Sequence, residues 1–430
     1  MFETLRNAWR VKEIRQKIIF TIFIILIFRF GSVVPVPFID VAALKSSLEQ
    51  TSTSGDFFSY LSILTGGAMN YGALFAMSVT PYINASIIMQ LLSVAIPALE
   101  RIAKEGEEGR KRIAKYTRFA SVALGLLQGG AYWWWLYASG FVNAKGTGEN
   151  IFAAIVIILC FTAGTALMMW LGERIDEKGI GNGISMLLFA GIISRIPVGV
   201  ASLWSYFIDL DKYVQVIAVI LILFAMVIFV VWMNAAERRI PIQYAKRVVG
   251  RKQYGGQNTH MPIKVNMSGV MPIIFASSIL SIPTTILAFM GTDQAGSRWY
   301  QILSFFGYNS WAYAIIYFVL IIGFAFFYTT IQYNPVEMAN NLRKNNGAIP
   351  GIRPGKPTQD FIQKILTRVT LLGAIFLGII AVLPIVVGQF SGINTSLGGT
   401  SLLIVVGVAI DTVQQLESQM MMRHYKGFLD

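Results

Sequence analysis

Runs of about twenty predominantly apolar residues recur ten times along this chain, and that is the length that carries a helix across about 30 Å of hydrocarbon. Lipid cannot hydrogen-bond exposed backbone polar groups, so helix is the required form for such runs. The spacing predicts spans over 18–37, 73–96, 119–139, 151–171, 182–204, 213–234, 267–290, 311–332, 366–388 and 399–417. Composition agrees. Hydrophobic residues make up 55% of the 430 positions and charged residues only 13%, against about a quarter charged in an ordinary soluble domain. The fold class is therefore all-α, a polytopic membrane protein.

The net charge of +13 is unevenly placed. Of the 35 Lys and Arg, 29 fall on the side of the N-terminus. Only Lys45, Lys145, Lys212 and Arg298 fall on the other, while Arg29 and Arg195 lie within spans. The positive-inside bias then puts both termini in the cytoplasm, consistent with an even number of spans. The first seventeen residues are basic and amphipathic. The apolar run from Ile18 is too long for a signal h-region and lacks a small-residue cleavage site, so the first span is expected to be an anchor.

Five spans precede residue 205 and five follow it, giving an N-terminal half, 1–204, and a C-terminal half, 205–430. Because five is odd, the halves enter the membrane from opposite sides, the arithmetic of an inverted repeat around a central pathway. Between the first two spans, the apolar part of 57–68 is about a dozen residues, too short to cross. Gly66 and Gly67 would end a short helix there. Two readings fit: an interfacial or re-entrant segment, or a small movable element packed inside the protein. Two cytoplasmic loops, 235–266 and 333–365, are long and basic, which marks them as functional or unstructured. Proline and glycine make a structured turn of the stretch around Arg353.

Parts for enzyme chemistry are lacking. The two histidines, His260 and His424, form no H-E-x-x-H motif. The stretch ending at Lys356 has Pro350 and Pro357 where a phosphate loop requires Gly and Ser or Thr. Gly179–Gly183 lacks the preceding strand and reads as a tight connection between helices. The lone Cys160 permits no internal disulfide and no Cys-based metal site. No catalytic residue, cofactor or metal is expected. Charges within or near the spans are few: Arg29, Glu173, Arg195 and Asp411. Each reads as a structural ion partner or as reaching toward headgroups. A proton relay would want several in series.

Eight stretches carry a more specific signal: Phe28–Pro37, Thr80–Gln90, Trp170–Glu173, Gly179–Ser185, Tyr244–Arg247, Pro262–Asn266, Pro350–Gly355 and Gly398–Ile404. In this order, over essentially the whole chain, they resemble the SecY family, the bacterial protein-conducting channel subunit related to the eukaryotic translocon α subunit. The resemblance implies ten transmembrane helices in two inverted five-helix halves around a central pore. It implies a channel that translocates unfolded secretory polypeptides across a bacterial plasma membrane and releases hydrophobic segments sideways into lipid. Two alternatives stay open: an ion-coupled secondary transporter using Asp411 or Arg29, and a non-conducting scaffold for membrane-protein assembly.

Carried over residue by residue, the family's pore ring falls on Val79, Ile83, Ile184, Leu188, Ile274 and Ile404. The pairs Val79 with Ile83 and Ile184 with Leu188 stand i,i+4, on one helix face each, which plain helix packing would equally give. The plug falls on Phe57, Phe58, Tyr60, Leu61, Ile63, Leu64, Gly66 and Gly67. The lateral gate falls on Asn84 and Gln90 against Ser281 and Ile282, and partner docking on Arg353, Lys246, Arg247 and Arg251. The implied partners are SecE, SecG, the SecA ATPase motor, the ribosome with its RNA, signal peptides, the polypeptides in transit, and membrane lipids.

Overall fold

The computed structural model describes the chain except residues 1–5, 7–8, 52–61, 63–64, 144–145, 209–212, 245–246, 250–251, 255–257, 291–297, 299–302, 304, 308–309, 392–398 and 427–430. In chain order the helices of the first part are α1 Lys12–Gly31, α2 Val41–Thr51, α3 Thr80–Ala95, α4 Pro97–Lys104, α5 Glu107–Ala138, α6 Thr147–Lys178, α7 Gly183–Ile208 and α8 Tyr213–Ala235. Four strands follow: β1 Glu237–Tyr244, β2 Arg247–Val249, β3 Lys252–Tyr254 and β4 Asn258–Lys264. The chain continues through α9 Met271–Met290, α10 Trp311–Gln332, α11 Pro335–Lys344, β5 Gly347–Ala348, α12 Lys356–Ser391 and α13 Gly399–Lys426.

Every expected span overlaps one of these helices. By length and hydropathy alone, six helices among the described residues qualify to cross a membrane, or seven if the bent pair α3–α4 is one span. The largest departures are at span ends. α5 and α12 begin at Glu107 and Lys356, well before their apolar runs, because charged residues favour helix as readily as apolar ones do once water can solvate them. The span expected from residue 73 becomes helical only at Thr80. Residues 65–79 instead form tight turns and one 3-10 turn, Ala68–Tyr71. Their backbone is satisfied within the protein: Val36 donates to Gly72 and Leu74 donates to Val34, each at 3.0 Å. Phe75 stacks on Phe28 at 6.2 Å and lies against Gly31 of α1, where a larger residue would collide with its ring. Irregular backbone at such depth is tolerated because protein covers it.

At Ile96 the chain turns by 106° between α3 and α4. Pro97 pushes the residue before it out of helical conformation, and Ile96 is extended at φ −106°, ψ 113°.

The two largest apolar cores among the described residues lie within the helical body. One gathers α1, the turns before α3, and parts of α3, α6, α7 and α13, centred on Phe28, Phe75, Met168 and Leu171. The other gathers α8 to α10, α12 and α13, centred on Ile273, Tyr317, Ile321 and Leu377. α13 feeds both, with Ile404 and Val408 in the first and Leu403 in the second.

The two long basic loops fold into one body. β1 pairs antiparallel with β4, from Glu237 opposite Lys264 to Gln243 opposite Asn258. Its far edge takes β5 from the second loop, Gln243 opposite Ala348. Ile240 and Ile242 alternate onto the same buried face with Ile263. That face packs on Ala339 and Leu342 of α11 and on Ile362, Leu366 and Val369 of α12. The result is a small β-and-helix platform within an otherwise helical fold.

Candidate functional site

Five of the six aliphatic residues singled out in the sequence meet in the first core. Val79, Leu188 and Ile404 are almost fully buried there, with Ile83 and Ile184 packed against them. They arrive from three helices. Val79 caps α3 and accepts from Ile83 N–H at 3.0 Å, closing the first helical turn that sets the two side chains on one face. Ile184 and Leu188 occupy the first turns of α7. That start is fixed from outside the helix: the Asp176 carboxylate accepts from Gly183 N–H at 2.7 Å, and the Asn182 side chain accepts from Ser185 N–H at 3.1 Å. Gly183 abuts Gly172 of α6 so closely that a Cβ there would overlap the Gly172 carbonyl, so glycine sets the approach of α6 and α7. Ile274 is separate. It lies half-buried on α9, beside Ile273 of the second core.

The Gly179–Gly183 connection is pinned to two other helices. Ile180 N–H donates to Thr21 Oγ1 of α1, and Gly181 N–H donates to Gln415 Oε1 of α13, both at 3.1 Å.

Of the segment 57–68, Ser62, Thr65, Gly66, Gly67 and Ala68 are described. Phe57, Phe58, Tyr60, Leu61, Ile63 and Leu64 lie outside the described residues. Ser62 is buried and donates to Asn70 Oδ1 at 2.8 Å. Gly66 and Gly67 have φ of +65° and +87°, a region open to glycine at little cost.

Here the sequence reading of Arg29 gains a partner it did not name. Arg29 Nη1 donates to the Gly66 carbonyl at 3.1 Å and to Ser194 Oγ of α7 at 2.9 Å. Ser194 in turn donates to Gly191 O at 2.6 Å. Arg195 lies against Gly67. Both arginines within the spans therefore bear on the same turn. A guanidinium removed from water must be hydrogen-bonded, and a carbonyl freed by a positive-φ turn is a fitting acceptor. Glu173, the third charge near a span end, pairs with Arg118 of α5 at 2.7 Å.

Asn84 and Gln90 lie on α3, Ser281 and Ile282 on α9, and these two helices approach each other. The Asn84 carbonyl oxygen is buried and accepts no hydrogen bond among the described residues. Ser281 donates to Ser278 O of its own helix at 2.7 Å, and Ile282 is exposed.

On the platform, Arg353 is exposed on the turn between β5 and α12. Gly351 and Gly355, at φ of +81° and +113°, flank it. Thr358 Oγ1 donates to the Arg353 carbonyl at 2.9 Å, and Ile352 anchors the turn in the platform core. Arg247 is placed in β2 by its backbone, while Lys246 and Arg251 lie outside the described residues.

A family model described as SecY matches residues 73–413. The protein translocase subunit SecY of Bacillus subtilis is 42% identical over 440 residues, covering 100% of each chain. That of Thermotoga maritima is 42% identical over 433 residues, covering 100% of this chain and 98% of the relative. Among solved structures, one of a protein-conducting channel superposes with a TM-score of 0.67 at 20% identity, covering 94% of this chain and 92% of that one. Sec61 in the canine ribosome–channel complex from the endoplasmic reticulum superposes with a TM-score of 0.63 at 18% identity, again covering 94% and 92%. At those identities the likeness is one of fold.

Proposed function

This chain belongs to the SecY family, and from that premise we propose that it is the pore-forming subunit of a protein translocase, passing unfolded polypeptides across the membrane and apolar segments sideways into it. The observation that supports this reading is the gathering of Val79, Ile83, Ile184, Leu188 and Ile404 from three helices in one apolar core, which we read as the pore's constriction. Branched aliphatic side chains offer water and ions no polar contact, and such constrictions gate by dewetting. Their contacts are non-directional, so they yield around an extended peptide of any sequence. Ile274 of α9, which lies apart from these five, is the sixth residue assigned to the ring.

The segment 57–68 serves as a plug on the outer side of the ring, held in its closed position through the Gly66–Gly67 turn. Signal sequences leave between α3 and α9. The buried Asn84 oxygen, which has no hydrogen-bond partner among the described residues, supports a seam closed by weak contacts, since a polar group of this kind is costly to keep.

The chain performs no catalytic step. Energy comes from chain elongation on a ribosome, from ATP hydrolysis by SecA, or from the membrane potential. SecE and SecG complete the complex in a bacterial plasma membrane, with both termini cytoplasmic. The platform receives the cytoplasmic partners, and Arg353 stands where a rigid turn presents it. The coupled-transporter alternative wanted Arg29 facing a cavity as a coupling charge. Its bonds to Gly66 and Ser194 support a structural role instead.

The test is reconstitution. In proteoliposomes with SecE, SecG, SecA and ATP, an unfolded secretory polypeptide is expected to become protected from added protease. Arg353→Glu is expected to slow this about tenfold, the effect of losing roughly one charge-assisted contact of ~1.4 kcal/mol. No protection by the wild-type complex, with saturable uptake of a small solute, would restore the transporter reading.

A further inference from the structure

A cavity of about 330 Å³ lies at the foot of α7 and α13, on the side of the basic platform. Its walls include Asn182, Ser185, Val408, Asp411, Gln415 and Ser418. On α13 the residues Ile404, Val408, Asp411, Gln415 and Ser418 stand at i, i+4, i+7, i+11 and i+14, one continuous helix face. The capping Asn182, just before α7, and Ser185 in its first turn stand on either side of Ile184 in the chain. Val408 belongs both to the apolar core that holds Ile404 and to the cavity wall, so the aliphatic cluster adjoins a polar slot whose walls carry one carboxylate, Asp411.

The slot's other polar groups are largely engaged. Gln415 Oε1 accepts from Gly181 N–H, Ser418 Oγ donates to Gln414 O at 2.8 Å, and Thr412 Oγ1 donates to Val408 O at 2.6 Å. Lys264, the last residue of β4, donates Nζ to Gln414 Oε1 at 2.9 Å at the rim. Among the described residues no ion pair within 4 Å joins Asp411 to a cation; Lys264 is the cation whose charge reaches it, and its Nζ is bonded to Gln414. Asp411 is exposed to the cavity.

We propose that this slot is a binding site for a basic side chain of the polypeptide in transit, with the Asp411 carboxylate as its counter-charge. The inference rests on the channel reading above. It also gives that channel a property that an aliphatic ring lacks, since the ring treats all residues alike whereas the slot holds lysine and arginine just before they reach it. Seven residues of helix separate Ile404 from Asp411, about 10 Å at 1.5 Å per residue. An extended chain covers that distance in about three residues at roughly 3.3 Å each. A lysine about three residues to the platform side of the residue opposite Ile404 would meet Asp411.

The test is a zero-length carbodiimide coupling on the assembled, reconstituted complex with a stalled secretory chain. The chain carries a single lysine at the predicted register and a single cysteine near the ring, in a Cys160→Ala, Ile83→Cys background. The expected result is an amide between that lysine and Asp411, mapped by mass spectrometry. It should be lost in Asp411→Asn and when the substrate lysine is replaced by glutamine, with the Ile83→Cys disulfide still forming. The disulfide without the Asp411 adduct would overturn the slot and leave the channel standing. Absence of both would overturn the channel reading itself. Because Asp411→Asn is nearly isosteric, unchanged disulfide formation in it shows that the complex has assembled.

Discussion

Arg29→Met is expected to unseal the resting channel. The wild-type guanidinium bridges α1, the turn at Gly66 and α7 through Ser194. A hydrogen bond to a charged group contributes about 1.5–3 kcal/mol, and the bond to the Gly66 carbonyl holds the end of the segment proposed as the plug. Losing about 2 kcal/mol from the closed position alone raises the open population about 30-fold. The readout is potassium efflux from proteoliposomes, together with export of a substrate whose signal sequence is defective. Both should rise. Arg29→Lys keeps the charge but carries it on a shorter side chain with a compact ammonium in place of the planar guanidinium, and should fall between. If Arg29→Met assembles with its partners and remains as tight as wild type, the arginine is a packing residue and the turn is held by other contacts.

Ile404→Asn should give a second large leak by a different route. A side-chain amide in the constriction offers water a hydrogen-bond partner worth about 2–3 kcal/mol, which corresponds to about 30- to 150-fold in the rate of ion passage. Ile404→Val removes one methylene, costs about 0.5–1.5 kcal/mol of packing, and leaves the ring dry. It should stay sealed. A residue that served packing alone would show a different pattern, with both variants less stable and neither conducting. Single-channel recordings in planar bilayers, beside thermal stability in detergent, separate the two.

Most of the membrane architecture was legible in the letters, because burying apolar side chains in lipid leaves a plain record of about twenty residues per crossing. What the letters hid has definable causes. The stretch Ala73–Val79 is apolar enough to read as the start of a span, yet Gly72 and Ser78 take positive φ and the chain runs in turns under Phe28. Hydropathy does not register backbone conformation. The platform was hidden differently. Its sheet joins residues near 240, 260 and 348, and the pairing of such distant segments leaves no local pattern beyond the alternation at Ile240 and Ile242. Pro241 and Pro262 within those strands further disguise them.

The residues proposed for the ring could not have been chosen by periodicity, since Val79 with Ile83 and Ile184 with Leu188 look like any packed helix face. Resemblance selected them, and five of the six meet in space. Arg29 was the reverse case. A charge in an apolar span announces itself, but its acceptors are a backbone carbonyl at Gly66 and one serine hydroxyl at Ser194, and neither carries an opposite charge that the sequence could advertise.

The most direct test is disulfide trapping of a stalled secretory chain in the Cys160→Ala background. One cysteine goes in the middle of the chain in transit. A second goes at Ile83 in the ring, or at Val214 of α8, which is 82% exposed on the outer surface, as the control. An adduct at Ile83 and none at Val214 is the predicted result, placing the polypeptide within this subunit at its narrowest point. Continued translocation with no adduct at either position would put the path elsewhere and contradict the account.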